Sequence, residues 1–384
     1  MSVEIKLIDR EDSLLGSNVS LRVNNKRIDG FQLSEKSNCT KFERGVYSKL
    51  GENKIREYAI DITPSRLDEL DADRGELDKF TKDKFSKLRN SNEMNMMVFR
   101  VDVSKEKLEE RHISMLSNLL QLSGNDIIVP PFVKISKESK FDVDQYLSYY
   151  RTFEDYLGST ISSIACPIPG QSSTKDIRQI MNELGGKHCQ IFVVDFDGQK
   201  VISPSNEISL RTVMGGIRNL EKEYGEGSFF YGFDARPNPK NGTDKDFIES
   251  QILASVGLNA VGPKRKRTVL PPNIAKLLGE SDPLDVCKLF CEDDYRQYSI
   301  RSGRVTEDFS TFVDDMWGID YSTLKYDKMR ELTAAFNHNA RSENIPNINQ
   351  SISENTLVDL IQSKNTPEYV MKVAKKVAKK VTGV

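Results

Sequence analysis

The sequence predicts an α/β fold, a (β/α)8 TIM-like barrel with a small β-rich N-terminal part and a helical C-terminal extension. Three observations support this prediction. Short apolar segments alternate with helical segments of ten or more residues through the middle of the chain, as in parallel sheets. The chain has 384 residues, of which 38% are hydrophobic, so it can bury one large core. No glycine-rich phosphate turn follows the early strands, where an open nucleotide-binding sheet would have one.

The alternation predicts a series of strands and helices. The predicted strands cover residues 57–62, 96–102, 126–132, 161–168, 190–196, 228–233 and 258–261. The predicted helices cover residues 65–88, 106–122, 143–157, 174–184, 210–224 and 244–256. Crossover helices return the chain to the same edge of a sheet, so we expect parallel pairing and a strand count close to the eight that close a barrel. An open doubly wound sheet is the alternative architecture.

Four parts of the chain differ in pattern. Residues 1–55 contain alternating apolar and polar stretches and form the β-rich part, and residues 56–270 form the predicted barrel. Residues 271–365 are a C-terminal region with cysteines and a histidine. Residues 366–384 are a basic tail, in which apolar residues recur at helical spacing. The tail is therefore predicted to be an amphipathic helix.

The cysteine count and the lack of long apolar runs indicate the cellular compartment and argue against a membrane partner. The five cysteines are an odd number without a regular framework, which favours a reducing compartment over a disulfide scaffold. The first ten residues lack an apolar signal core, and no apolar run is long enough to span a bilayer. We therefore expect a cytoplasmic protein without a membrane partner.

Polar side chains follow several predicted strands. Side chains at the carboxyl ends of barrel strands share one mouth, and the wider set that we expect there is Asp61, Asp102, Cys166, Asp195, Asp197, Asp234 and Arg236. The candidate catalytic residues are Asp195, Asp197, Asp234 and Arg236, because converging carboxylates can act as acid, base or nucleophile and an arginine can grip a phosphate or carboxylate. Alternatively, each aspartate only caps a helix or makes a turn.

Two basic runs stand out against a net charge of −2. The candidate nucleic-acid-binding residues in them are Lys264, Arg265, Lys266, Arg267, Lys375, Lys376, Lys379 and Lys380. Dense positive charge matches a phosphate backbone, and a solvated charged face is the alternative explanation.

Cys287, Cys291 and His338 supply sulfur and imidazole ligands suited to zinc. A structural zinc site needs four ligands, and the candidates for the fourth are Asp285, Glu292 and Cys189. Zinc is therefore the one cofactor that the sequence suggests. The alternative is that the two cysteines are small buried residues on one helix face.

Residues 257–363 resemble the tRNA-guanine transglycosylases and their DNA-modifying relatives. The resemblance rests on the ordered segments Pro283-Leu284-Asp285, Cys287, Cys291, Tyr295-Arg296-Gln297-Tyr298 and His338-Asn339. It implies a zinc-containing TIM barrel that exchanges guanine for a deazaguanine base. The sequence departs from the family pattern in having two cysteines in place of three. Gly262 also stands where the family has its nucleophilic aspartate, and glycine offers no nucleophile.

These features give three functional hypotheses. The first is a transglycosylase-like barrel that engages nucleic acid, RNA or DNA, or a modified purine base, with base exchange lost or altered. The second is a TIM-barrel enzyme that acts on a small phosphorylated or carboxylated metabolite. The third is a non-catalytic partner subunit or scaffold, which would have a protein partner or form a homo-oligomer.

Overall fold

The computed structural model of the chain describes most of its residues. The described residues are 3–36, 39–49, 54–85, 93–104, 106–134, 142–158, 164–185, 189–203, 206–236, 246–263 and 272–383. Helices and two parallel sheets make up most of this part of the chain, which confirms the α/β fold class.

An antiparallel sheet of three strands begins the chain. Its strands are β1 (Val3–Arg10), β2 (Ser17–Val23) and β3 (Lys26–Asp29). Asn24 turns the chain between β2 and β3 with φ at +56°, a conformation that asparagine tolerates well. The buried face of this sheet packs with the first residues of several parallel strands, through Ile5, Val19, Leu21, Val23 and Ile28. The sheet therefore covers the amino ends of those strands.

The middle of the chain alternates parallel strands with helices. In order, these are β4 (Gln32–Leu33), β5 (Glu35–Lys36), α1 (Lys41–Lys49), β6 (Ile55–Ile62), α2 (Pro64–Ala72), α3 (Arg74–Phe85), β7 (Met94–Asp102), α4 (Glu110–Ser123), β8 (Ile127–Lys134), α5 (Val143–Leu157), β9 (Cys166–Pro169), α6 (Thr174–Gly185), β10 (Ile191–Asp195), α7 (Glu207–Tyr224), β11 (Phe229–Phe233), a 3₁₀ helix (Glu249–Val256) and β12 (Ala260–Val261).

These strands form two sheets whose neighbours are all parallel. One sheet has the order β5-β6-β7-β8, and the other has the order β4-β12-β11-β10-β9. Only Ser34 separates β4 from β5 along the chain. On the other side, a parallel bridge joins Ile128 to Ile164, and the Ala165 amide donates to the Ile128 carbonyl at 2.8 Å.

Each predicted strand has a counterpart among the described residues, and among the parallel strands the ones that were not predicted are the short β4 and β5. One predicted helix was wrong. Residues 65–88 do not form one helix, because the chain is extended at Asp73, between α2 and α3. The Asp73 carboxylate accepts hydrogen bonds from the amides of Gly75 and Glu76, at 2.7 and 3.2 Å, and so starts α3. The predicted helix 244–256 is a 3₁₀ helix over Glu249–Val256.

Alternate side chains of the long strand β7 enter two different cores. Met94, Met96 and Val98 pack with the N-terminal sheet and with inward residues of the other parallel strands. Met97 and Phe99 pack instead against α2, α4 and α5. This period of two explains why β7 is apolar on both faces, as expected for a strand covered by helices.

The remaining elements form the C-terminal region. They are α8 (Pro272–Glu280), α9 (Pro283–Val286), the antiparallel pair β13 (Lys288–Cys291) and β14 (Arg296–Ser299), α10 (Thr306–Trp317), α11 (Tyr326–Glu343), α12 (Ile345–Ser353), α13 (Leu357–Ser363) and α14 (Glu368–Thr382). The basic tail is the helix that was predicted. Its apolar face, Val370, Val373, Ala374, Val377 and Ala378, is buried, and α14 packs against α7. None of the described helices combines the length and apolar character needed to cross a membrane.

We predict that Leu21→Ala destabilises the protein by about 3 kcal/mol, because it leaves a cavity where the N-terminal sheet meets the strand ends. Leu21 has no exposed surface. Leu7→Ala, on the same sheet but 41% exposed, is the matched control and should change stability by less than about 0.5 kcal/mol. Urea denaturation of both variants measures the difference. Equal losses would contradict the burial of this sheet face.

Candidate functional site

Three of the predicted catalytic aspartates meet around one arginine. Arg100 Nε lies 2.9 Å from Asp195 Oδ2, and Arg100 Nη1 lies 2.8 Å from Asp234 Oδ2 and 3.9 Å from Asp197 Oδ1. The guanidinium also stacks over Phe233, 4.8 Å from the ring centroid. The Arg100 side chain is 4% exposed and that of Asp234 is fully buried. The aspartates therefore compensate a buried cation.

Local backbone conformation brings these aspartates together. Asp195 ends β10, and Asp234 follows β11, the strand that pairs with β10. Asp197 and Asp234 both have φ at +48°, which aspartate adopts more readily than most residues. The Asp197 amide donates to Asp195 Oδ1 at 2.8 Å, and the Gly198 amide donates to the Asp234 carbonyl at 2.9 Å. The loops after the two strands are thus hydrogen-bonded to each other.

Burial and charge act in opposite directions on this cluster. Burial raises the pKa of Asp195 above its ordinary value, although the charge and hydrogen bond of Arg100 lower it. Burial lowers the pKa of Arg100, but the attraction of Asp195 and Asp234 outweighs that effect and the net pKa lies above its ordinary value. The guanidinium therefore stays charged. Arg100 was not predicted from the sequence, although a basic residue within the apolar strand Met94–Asp102 was the available signal.

The other members of the wider polar set lie elsewhere. Asp61 is exposed, and Asp102 accepts a hydrogen bond from the Ser104 amide in its own loop at 3.0 Å. Cys166 is joined to Cys189 by a disulfide, with the Cα atoms 6.3 Å apart, whereas Cys39, Cys287 and Cys291 are free. Asp61 lies opposite Arg100 in the pairing of β6 with β7.

A cavity of about 270 Å³ lies at the carboxyl ends of β4, β11 and β12. Ser34, Arg236 and Gly262 line it from the strand side, and the side chains of α1 and α11 close it from the other side. The lining residues from those two helices are Glu43, Tyr47, Ala334, Asn337, His338 and Arg341. The cavity therefore brings together two residues singled out in the sequence, Arg236 and His338.

The lining of this cavity is polar and apolar in about equal parts and carries more positive than negative charge. Its charged side chains are Arg236, Arg341 and Glu43. Burial lowers the pKa of Arg341, and Tyr47 and Glu43 offset part of that effect. The Ser250 hydroxyl is buried in the wall and has no hydrogen-bond partner within the described part of the chain. The cavity thus offers two arginines and an unused hydroxyl to an anionic or hydrogen-bonding ligand.

The predicted zinc ligands do not come together in this conformation. Cys287 directly precedes the extended strand β13 and Cys291 ends it, so the two residues are roughly 13 Å apart at strand rise. His338 packs edge-on against Tyr47, with ring centroids 4.6 Å apart. Among the described residues, no group of three histidine, cysteine or acidic side chains is arranged to hold a metal. The zinc site remains a prediction of the sequence.

The candidates for a fourth zinc ligand also have other partners. Asp285 pairs with Arg301 Nε at 2.6 Å, and Glu292 accepts a hydrogen bond from Asn344 Nδ2 at 2.6 Å. Cys189 is held in the disulfide with Cys166. These contacts give the predicted ligand set no further support.

Only one of the two predicted basic runs lies within the described residues. Lys264, Arg265, Lys266 and Arg267 fall outside them, directly after Pro263, which lines the cavity. In the second run, Lys375, Lys379 and Lys380 are exposed on α14, and Lys376 pairs with Glu207 of α7 at 2.8 Å. The exposed lysines are available to a phosphate backbone, and so remain candidates for nucleic-acid contact.

The site also contains buried polar residues that the sequence analysis did not select. Behind Gly262, the Tyr231 hydroxyl donates to Glu57 Oε2 at 2.7 Å and lies 2.6 Å from Ser34 Oγ. Glu57 is only 3% exposed. The available signal was an acidic residue at an inward position of the predicted strand 57–62.

We predict that Arg100→Met costs about 3 to 5 kcal/mol of stability, because it leaves buried carboxylates without their cation. Burial already raises the pKa of Asp195, and without Arg100 that pKa rises further above the unfolded-state value. A raised folded pKa means that stability is lost as the pH rises, so the variant should regain stability between about pH 8 and about pH 5. Chemical denaturation across this range measures both effects.

The matched control is Arg27→Met. Arg27 pairs with Asp29 at 2.9 Å, but its side chain is 60% exposed, so the loss should stay below about 1 kcal/mol. A loss for Arg100→Met no larger than the control's, or one that grows as the pH falls, would contradict the role given to this ion cluster.

Comparison with known proteins does not assign the chain to a family. No protein-family model matches it, and neither does any curated protein. The resemblance to the tRNA-guanine transglycosylases therefore rests on the sequence motifs, and its consequences for function are proposals.

Proposed function

We propose that the two parallel sheets form one closed (β/α)8 barrel. The strand order supports this, because β4 and β5 belong to different sheets but are separated only by Ser34, so one continuous segment can join the sheets. The bridge between Ile128 and Ile164 supports contact at the opposite edges. With β4 and β5 counted as one strand, the described parallel strands number eight, as a TIM-type barrel requires.

We propose that the mouth of this barrel engages a purine or modified purine base of a nucleic acid. The observation that carries the proposal is the 270 Å³ cavity at the carboxyl ends of β4, β11 and β12. Barrel enzymes bind their ligands at this end. The polar groups in the lining suit the donor and acceptor edges of a base, and Arg236 and Arg341 suit a neighbouring phosphate.

In this proposal, base exchange through a covalent intermediate at position 262 is lost. Gly262 has no side chain with which to attack a sugar carbon. Asp195 and Asp234 are engaged by Arg100, at 2.9 and 2.8 Å. The chain would then act by recognising a base, or by chemistry that differs from that of the family it resembles.

A second candidate function is catalysis on a small phosphorylated or carboxylated metabolite. The observation that favours it is the presence of two arginines, Arg236 and Arg341, in one cavity of limited volume. Arginine pairs with both phosphate and carboxylate through two parallel hydrogen bonds. The two candidate functions differ in the size of the ligand. Only nucleic-acid binding would use the basic runs outside the cavity.

We predict binding of tRNA or duplex DNA whose affinity falls steeply with salt, because phosphate contacts release counterions. Replacing Lys264, Arg265, Lys266 and Arg267 together by glutamine should reduce the slope of log K against log salt by roughly three to four. Fluorescence anisotropy at several salt concentrations measures this slope. The matched control replaces four exposed cations elsewhere, Lys6, Arg27, Lys79 and Lys276, and should leave most of the slope intact.

Absence of binding at low salt would contradict the nucleic-acid proposal. Inorganic phosphate then tests the second candidate, by calorimetry with the parent protein and with Arg236→Gln. Weaker phosphate binding in this variant would support a small anionic ligand. Equal binding by both proteins would place the phosphate outside the cavity.

Zinc is tested by elemental analysis of the purified protein. The resemblance predicts about one zinc per chain, which is lost in Cys287→Ser and retained in the control Cys39→Ser. The extended chain from Cys287 through β13 predicts no zinc shared by Cys287 and Cys291, because about 13 Å separates these two residues at strand rise. Metal-free, folded parent protein would contradict the resemblance on this point. Bound zinc lost with Cys287 would show that β13 changes conformation.

A further inference from the structure

A buried chain of hydrogen bonds runs from the cavity wall into the protein interior. Ser34 lines the cavity, and its Oγ lies 2.6 Å from the Tyr231 hydroxyl. The Tyr231 hydroxyl lies 2.7 Å from Glu57 Oε2. Ser34, Tyr231 and Glu57 are exposed by 5%, 0% and 3% of their surface. The three groups therefore connect a ligand-sized space to a carboxylate that bulk water scarcely reaches.

Gly262 lets this carboxylate lie directly behind the cavity wall. A Cβ atom built on Gly262 would overlap Glu57 Oε2 and would lie 2.8 Å from the Tyr231 hydroxyl oxygen. Real Cβ atoms essentially never make contacts that close. The space that a side chain at position 262 would need is therefore occupied by the Glu57 carboxylate. Since Gly262 and Ser34 both line the cavity, Glu57 lies one layer away from any bound ligand.

The protonation state of Glu57 determines which group donates in each of these hydrogen bonds. With Glu57 ionised, the Tyr231 proton points to the carboxylate, so the close Ser34–Tyr231 contact requires Ser34 to donate to Tyr231. The other acceptor within reach of Ser34 is the Val261 carbonyl, at 3.2 Å against 2.6 Å. Ser34 then has lone pairs for a ligand but no proton to give. In this state the wall accepts hydrogen bonds at Ser34.

Packing alone does not account for these groups. Tyr231 lies in an apolar cluster with Val193, Phe229 and Ala260, where phenylalanine would fill the same volume. The connection to the cavity gives the Tyr231 hydroxyl and the Glu57 carboxylate a use that packing does not.

We propose that Ser34, Tyr231 and Glu57 form a proton relay that receives an N–H or O–H group of the ligand at Ser34 Oγ. The ligand proton would pass to Ser34, the Ser34 proton to Tyr231, and the Tyr231 proton to Glu57. The ligand loses one proton, Glu57 gains one, and the two hydroxyls are restored. The ligand class, a purine base with a ring N–H donor, rests on the proposed function, whereas the relay itself rests on the contacts above.

The relay can be tested without any ligand, by carbon-13 NMR of the glutamate carboxyls in the full-length protein. The signal that disappears in Glu57→Gln identifies Glu57. Tyr231→Phe removes the donor to the carboxylate and should raise its pKa by roughly one unit. Ser34→Ala should shift the pKa in the same direction by a smaller amount, because the Ser34 hydroxyl contacts Tyr231, which in turn donates to Glu57. Tyr146→Phe is the control, because Tyr146 is also buried and donates instead to the Pro167 carbonyl at 2.9 Å.

Other charged groups face this region from the neighbouring strands. Burial, and then the Glu93 carboxylate, raises the pKa of Glu35 to about 7, and Glu35 lies 3.8 Å from Arg56. Arg100 is held by Asp195 and Asp234. The Glu57 signal is distinguished from the others by its loss in Glu57→Gln. A shift in Ser34→Ala that is absent in Tyr146→Phe therefore supports the relay. An unchanged Glu57 titration in Ser34→Ala would overturn it, even if the variant were less stable.

Free guanine is the ligand probe. Saturating guanine should move the Glu57 signal toward the protonated form in the parent protein and in Tyr146→Phe, and this change should be absent in Tyr231→Phe and Ser34→Ala. Guanine binding without movement of the signal would overturn the relay and leave the base-binding proposal intact. Absence of guanine binding, with the Ser34→Ala shift present, would overturn the base-binding proposal and leave the relay intact.

Discussion

The pairing of Arg100 with Asp195 and Asp234 is the constraint on which the mouth of the strands depends. A charged guanidinium in an apolar interior is tolerated only when carboxylates compensate it closely. Here the carboxylates come from the ends of β10 and from the residue after β11, at 2.9 and 2.8 Å. The pairing therefore ties three strands, β7, β10 and β11, to one register at their carboxyl ends. A change in that register would leave a buried charge alone.

This pairing also divides the polar groups of the mouth into two kinds. Asp195 and Asp234 are engaged by a permanent cation, which leaves little chemistry for them to do. The hydrogen bonds of Ser34, Tyr231 and Glu57 lie instead beside the cavity wall, at 2.6 and 2.7 Å. The groups suited to contact a ligand are therefore not Asp195 and Asp234, although the sequence places these two aspartates at strand ends. They are buried hydroxyl and carboxyl groups together with Arg236 and Arg341.

Short-range pattern explains which predictions succeeded. The apolar strands and the helices after them carry their period within ten or so residues, so sequence alone located them. The strands β4 and β5 were not predicted, because each has only two residues. Each pairs with a strand elsewhere in the chain, β4 with β12 and β5 with β6. The helix predicted over 65–88 was wrong because one side chain, Asp73, starts a new helix within an otherwise helical pattern. A local capping contact outweighed the period there.

The sequence by itself determined the α/β class, the order of strands and helices, the amphipathic tail and the position of the aspartates at strand ends. These follow from local periodicity and from the shared direction of parallel strands. Only the tertiary structure decided which groups meet. Arg100 reaches Asp195 across 95 residues, and Tyr231 reaches Glu57 across 174. Such contacts depend on strand register and on the space left by a residue such as Gly262, and neither quantity is encoded in the spacing of nearby residues.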